Sequence, residues 1–195
     1  MAPHQITHAD IMDMGDYARE RQQRRAAIVA HKRHRRVEVG PVAVFYFESY
    51  QTMWHQVHEM LYIERGGEPQ IADELSAYNP LIPQGRELVA TVMFEIDEPQ
   101  RRAAVLGRLG GVEETAFIKF AGHAIAGRPE VDADRTNAAG KASAVQFIHF
   151  DFDDAQVAAF RQPGTEVVIG FTHDAYAHMA VLPEEVRATL AQDFD

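Results

Sequence analysis

The 195-residue sequence predicts an α+β fold: a largely antiparallel sheet packed by several helices, with an N-terminal helical extension over 1–35 and a single α+β domain over 36–195. Three observations carry that expectation. Short runs rich in β-formers are joined by turns too brief for a crossover, as antiparallel strands allow and parallel ones do not. Between them lie segments with helical periodicity, closed by glycine or proline. Hydrophobic residues make up 46% of the chain, enough for one sizeable core at this length.

The first helix is expected from about Thr7, which with Asp10 resembles a capping box. Ile11, Met14, Ala18, Ala26, Ile28 and Val29 give it a broken apolar stripe. Residues 36–39 alternate, Gly40-Pro41 turns, and 42–47 are apolar almost throughout, which predicts a hairpin whose second strand has both faces covered. After the helix that follows, Gly66-Gly67 stops the chain. Pro69 then sits near the start of a helix through Ile71, Leu75 and Tyr78, which Pro80 ends. Residues 87–96 read as a strand, and Pro99 opens a helix closed by Gly110-Gly111. A strand over 115–121 has a hairpin partner at 123–126, and 127–142 reads as a surface loop. A strand over 144–152 precedes a short helix capped by Asp153 or Asp154. Strands over 166–171 and 175–181 flank a turn at His173-Asp174, and Pro183 opens the last helix.

Residues 48–65 organise the rest. At about 100° per residue, Met53, Val57, Met60 and Leu61 fall on one arc, with Trp54, the single tryptophan, at its shoulder. His55, His58, Glu59 and Tyr62 project together from the opposite side. Side chains at i, i+3 and i+4 converge on a helix, and two imidazoles with a carboxylate form a ligand set for zinc or non-haem iron. His55, His58 and Glu59 are therefore the candidate ligands for a divalent metal, with His173 in reach from the last turn. The alternative is a solvated polar face. Glu64 projects near the apolar arc and is expected to cap or to pair with an arginine, or else to act as a carboxylic acid with a raised pKa. His173-Asp174 suits a general base with its orienting acid, and Arg135 with Lys141 suits a clasp over an anion.

Composition excludes several functions. Without cysteine the chain has no disulfide, no thiolate nucleophile and no cysteine-held metal of its own. No apolar run approaches a membrane span, and the N-terminus lacks the apolar core of a secretory signal, so a cytoplasmic protein is expected. Net charge is −10, yet residues 1–36 carry eight Lys or Arg against four acids. The segment is thus +4 and the remainder −14. An acidic body argues against nucleic acid, while the run His31 to Arg36 suits a phosphate, an acidic partner or simple completion of a helix end. Glycine-rich phosphate loops, nucleophile elbows and dinucleotide fingerprints are absent.

The stretches FYFESYQTMWHQVHEMLYIER, ELSAYNPLIPQGRELVATVMFEI and DADRTNAAGKASAVQFIHFDF together resemble an uncharacterised bacterial family known only as a domain of unknown function. The resemblance spans nearly the whole chain. It falls best on Glu48, Gln56, Glu59, Glu64, Tyr78, Asn79, Arg135, Ser143 and His173, whereas His55 and His58 depart from the family's usual residues. Its members are typically encoded beside rubrerythrin-like di-iron proteins and cysteine-rich iron–sulfur oxidoreductases. The resemblance thus implies an accessory or binding protein of a bacterial redox or peroxide-defence system, with such a protein as partner; a homo-oligomer is left open. The polar stripe supports the alternative, a His/Glu-ligated metal-dependent enzyme or metal-binding protein.

Overall fold

The computed structural model describes residues 3–130, 136 and 140–195. Among the described residues six α-helices run α1 (Met14–Lys32), α2 (Tyr50–Glu64), α3 (Glu68–Tyr78), α4 (Pro99–Leu106), α5 (Asp154–Arg161) and α6 (Glu184–Leu190). Nine strands among the same described residues run β1 (Arg36–Val39), β2 (Ala43–Phe47), β3 (Glu87–Phe94), β4 (Ala116–Phe120), β5 (His123–Ala126), β6 (Arg128–Pro129), β7 (Val145–Asp151), β8 (Val167–Phe171) and β9 (Met179–Val181). The fold is α+β, but its strands form two antiparallel sheets rather than one, ordered β1-β2-β3-β7-β6 and β5-β4-β8-β9.

The two sheets share the main core. Phe45, Leu88, Ala90, Ile148 and Phe150 of the first pack with Ile118, Phe120, Val167, Ile169 and Phe171 of the second, and α4, α5 and α6 add Leu106, Phe160 and Leu190. Alternation then puts Val89 and Phe147 on the opposite face of the first sheet. There they meet Met53, Val57 and Leu61 of α2, Ile71 of α3, and Ile6, Leu81 and Ile82. The first sheet is therefore covered on both faces, which explains the uninterrupted apolar reading of β2 and β3.

Several local readings change. Thr7 and Asp10 do form a capping box, but on a single 3-10 turn over His8–Asp10; α1 starts later, where the Asp13 carboxylate accepts from the amides of Gly15 and Asp16. Met60 is only half-buried, because α2 turns Met53, Val57 and Leu61 to the sheet and leaves Met60 at the edge of that contact. The last strand is three residues long, since a bridge between His173 and Tyr176 tightens the turn before it. Within the 127–142 stretch, Arg128–Pro129 form β6 and Thr136 pairs with Ala142. Asn79 explains its tight Tyr-Asn-Pro setting: its amide accepts from the Ile6 N–H at 2.8 Å and donates to the Ile6 carbonyl at 2.9 Å. A side chain thus acts as a strand partner and seats Ile6 in the helical core.

Candidate functional site

The site is built from two antiparallel helices. Ser49 caps α2, its hydroxyl accepting from Thr52 N while the Thr52 hydroxyl accepts from Ser49 N. The same Thr52 hydroxyl donates to the buried Glu48 carboxylate at 2.5 Å, and Thr91 of β3 donates to its other oxygen at 2.6 Å. The helix start is thereby tied to the sheet beneath it. Helix α1 crosses back over the face of α2 that points away from the sheet. Tyr17 meets Glu59, His58 and Tyr62, Arg24 meets Trp54, and His31 meets Ser49. Tyr17, Arg21, Arg24, Ile28 and His31 recur at intervals of four, three, four and three residues, the spacing of a helix seam. Val29, from the apolar stripe expected on this helix, is 70% exposed.

The polar stripe of α2 is consequently neither a solvated face nor an open ligand set. Arg21 grips Glu59 with two parallel bonds, Nε to Oε1 at 2.8 Å and Nη2 to Oε2 at 2.7 Å, and Tyr17 donates to Oε1 at 2.7 Å. These bonds, Arg21 foremost, hold the Glu59 carboxyl down at about 2. Burial and the adjacent Glu59 push the Tyr17 hydroxyl upward, so it remains a donor. His58 is fully buried. Its Nδ1–H donates to the Trp54 carbonyl at 2.7 Å and its Nε2 accepts from Met12 N at 3.0 Å, which fixes a neutral tautomer. Burial drives its pKa down to about 4. Trp54 stacks on the imidazole at 3.7 Å between ring centres, and the Arg24 guanidinium covers the indole at 4.8 Å.

A metal held by His55, His58 and Glu59 would have to displace both ring partners of His58 and the Arg21 clamp. Among the described residues, no three His, Asp or Glu side chains converge so as to hold an ion. His55 differs from its neighbours. Its Nδ1 lies 3.4 Å from the Tyr17 oxygen, a weak contact, and burial lowers its pKa. Beside it opens a groove of about 430 Å³, walled by Ile28, Tyr50 and Trp54 and rimmed by Arg24, His31, Gln51 and His55. Burial also lowers the pKa of His31, whose Nε2 lies 2.9 Å from the Ser49 hydroxyl. Two imidazoles that burial holds toward the neutral form and the Trp54 indole thus line one opening.

The other expected residues lie apart from it. Glu64 is exposed at the last position of α2 and accepts from the Gln70 amide at 2.9 Å, not from an arginine. His173 donates from Nε2 to the Gly110 carbonyl at 3.1 Å and accepts at Nδ1 from Ala175 N, so it braces a turn. Arg135 lies outside the described residues. A second buried cluster has no signal in the sequence: His149 of β7 sits between Glu87 at 3.0 Å and Glu130 at 2.9 Å. Only the β3–β7 register and the β6 pairing, which joins residues 62 and 19 positions from His149, assemble it. Burial opposes charge on this imidazole, but the two carboxylates outweigh it and raise its pKa.

This architecture, two antiparallel sheets with a helical layer built around a clamped helix pair, defines an α+β class. The chain belongs to the family described as protein of unknown function (DUF3501), whose model matches residues 5–194. It is also similar to a solved structure, a protein of unknown function from Burkholderia pseudomallei, at 35% identity and a TM-score of 0.89, covering 97% of this chain and 99% of that one. No curated protein matches. Among the described residues, no helix is long and apolar enough to cross a membrane.

Proposed function

We propose that the protein is an accessory binding protein of a bacterial redox or peroxide-defence system, acting in the cytoplasm through contacts made at the α1–α2 groove. One observation carries the reading: Glu59 is taken up by Arg21 and Tyr17 of α1 and both His58 ring nitrogens by backbone groups, while an aromatic-walled groove remains open next to them. Its volume suits one or two anchoring side chains of a partner, the kind of pocket where binding energy concentrates. The +4 of residues 1–36, against −14 elsewhere, favours an acidic partner surface around that anchor. The family resemblance names the partner class, a rubrerythrin-like or iron–sulfur oxidoreductase protein.

The test is complex formation between the tag-free protein and each partner class from its own source. Gln51→Glu places a carboxylate on the groove rim at an exposed position, so it should weaken the complex by about tenfold or more without lowering stability. Rising salt should weaken it further. Equal affinity of the variant, or no complex with either class, would contradict the proposal. Elemental analysis of the same preparation addresses the metal-dependent alternative. Zinc or iron near one equivalent, lost in Glu59→Gln, would favour it.

A further inference from the structure

A second opening, which shares no lining residue with the α1–α2 groove, lies between α4 and the β1–β2 turn. It measures about 190 Å³ and has an apolar floor of Pro41, Val42, Val105 and Leu109. Its polar lining carries two guanidinium groups: Arg101 and Arg108 border it together with His178 and Tyr176, and among the described residues no carboxylate lines it. Among the described residues, neither Arg101 nor Arg108 has a hydrogen bond or ion pair from its side chain, whereas Arg21, Arg35, Arg128 and Arg187 are all clamped by carboxylates. Arg25, Arg33 and Arg65 are also unpartnered, but no two of them share a cavity.

The imidazole is held in place by the fold. Tyr176 is anchored by its hydroxyl, which accepts from Val42 N and Ala43 N and donates to the Val39 carbonyl at 2.8 Å. The His178 ring stands edge-on to it at 4.6 Å. On its other side the ring lies over Gly40, where a Cβ would come within 2.6 Å of the imidazole and where φ is +67°. Gly40 therefore serves both the turn and the placement of His178.

We infer that this opening is a binding site for a phosphoryl group, carried by a small metabolite or free as inorganic phosphate. A carboxylate is satisfied by one guanidinium fork, whereas two forks and an imidazole supply donors for all three terminal oxygens of a phosphoryl group. The apolar floor leaves room for only a few carbon atoms beyond that group. This site is separate from the α1–α2 groove, so either can fail without the other.

The experiment is calorimetric titration of the full chain with inorganic phosphate at low ionic strength, repeated with glycerol phosphate and with acetate. Arg101→Gln and Arg108→Gln should each weaken phosphate binding about tenfold, the worth of a hydrogen bond to a charged group. Arg33→Gln, which removes an unpartnered arginine elsewhere, should leave it unchanged. Tighter binding of glycerol phosphate than of phosphate points to a metabolite, and the reverse to the free ion. Acetate should not bind. No phosphate heat at about 10 mM, equal loss in Arg33→Gln, or acetate binding as tight as phosphate would each overturn the inference. Melting curves of the two exposed arginine variants, expected to match the parent, separate lost binding from lost folding.

Discussion

Arg21 and Glu59 face each other across the α1–α2 seam as a bidentate pair, with both nitrogen–oxygen distances below 3 Å and Tyr17 completing the carboxylate's shell. The pair is mostly buried, at 26% and 15% side-chain exposure, so it is screened less than a surface bridge. It decides what the polar face of α2 is for: holding the N-terminal helix down.

Glu59→Gln should therefore destabilise the fold by about 1–3 kcal/mol, since it removes the charge from two charge-assisted bonds. The pH dependence follows from a folded pKa of about 2 against the usual 4.5. The carboxylate's stabilising contribution is complete above the unfolded value and is lost as pH falls from about 4.5 towards 2. Denaturant melts across that range should show a smaller loss in the variant than in the parent, the remainder coming from Asp10, Asp151 and Glu184, whose partners also hold their carboxyls low.

His58 titrates in a separate window. Its folded pKa of about 4 lies below the ordinary 6.5, so the unfolded chain takes up a proton first as acid is added. Stability should decline between pH 6.5 and 4, by about 3 kcal/mol at most. His58→Phe should reduce the slope in that interval, leaving the share of His31 and His55, while lowering stability at neutral pH by about 1–3 kcal/mol, because Met12 N then has no acceptor. An unchanged slope in the variant would show that another group titrates.

His149 works in the opposite direction. Its pKa is raised by Glu87 and Glu130, so its contribution is full below the unfolded value near 6.5 and falls as pH rises through the folded value. Glu130→Gln should move that alkaline loss to lower pH, as read by stability curves between pH 6 and 9.

The core offers a direct contrast. Leu61→Ala should cost about 2–5 kcal/mol, as for other buried leucines, while Met60→Ala should cost clearly less because Met60 is half-buried. Equal losses would mean that the sheet-facing side of α2 is wider than these contacts show.

The fold class was legible because turn residues and periodicity are local signals: Gly40-Pro41, Gly66-Gly67 and Pro99 each end or start the element expected of them. The division of the strands into two sheets was not, since pairing between β3 and β7 or β4 and β8 depends on contacts about 50 residues or more apart in sequence. At the candidate site, grouping His55, His58, Glu59 and Tyr62 on one side of α2 was correct helical geometry. What covers that side was hidden, because the covering seam of α1 is built from Tyr17, Arg21 and Arg24, residues that a hydrophobic count reads as surface. The 4-3-4-3 spacing of Tyr17, Arg21, Arg24, Ile28 and His31 is the signal that points to it. Nothing local marks His149, whose partners come from two other segments.

Trp54 supplies the most direct measurement of the central claim, because the chain's one tryptophan forms a wall of the groove. Its emission should change saturably as a rubrerythrin-like or iron–sulfur oxidoreductase partner is added, and Gln51→Glu should shift that curve to higher concentration. A partner that binds by an independent measure while leaving Trp54 emission and the Gln51→Glu curve unaltered would place the contact elsewhere and contradict the account.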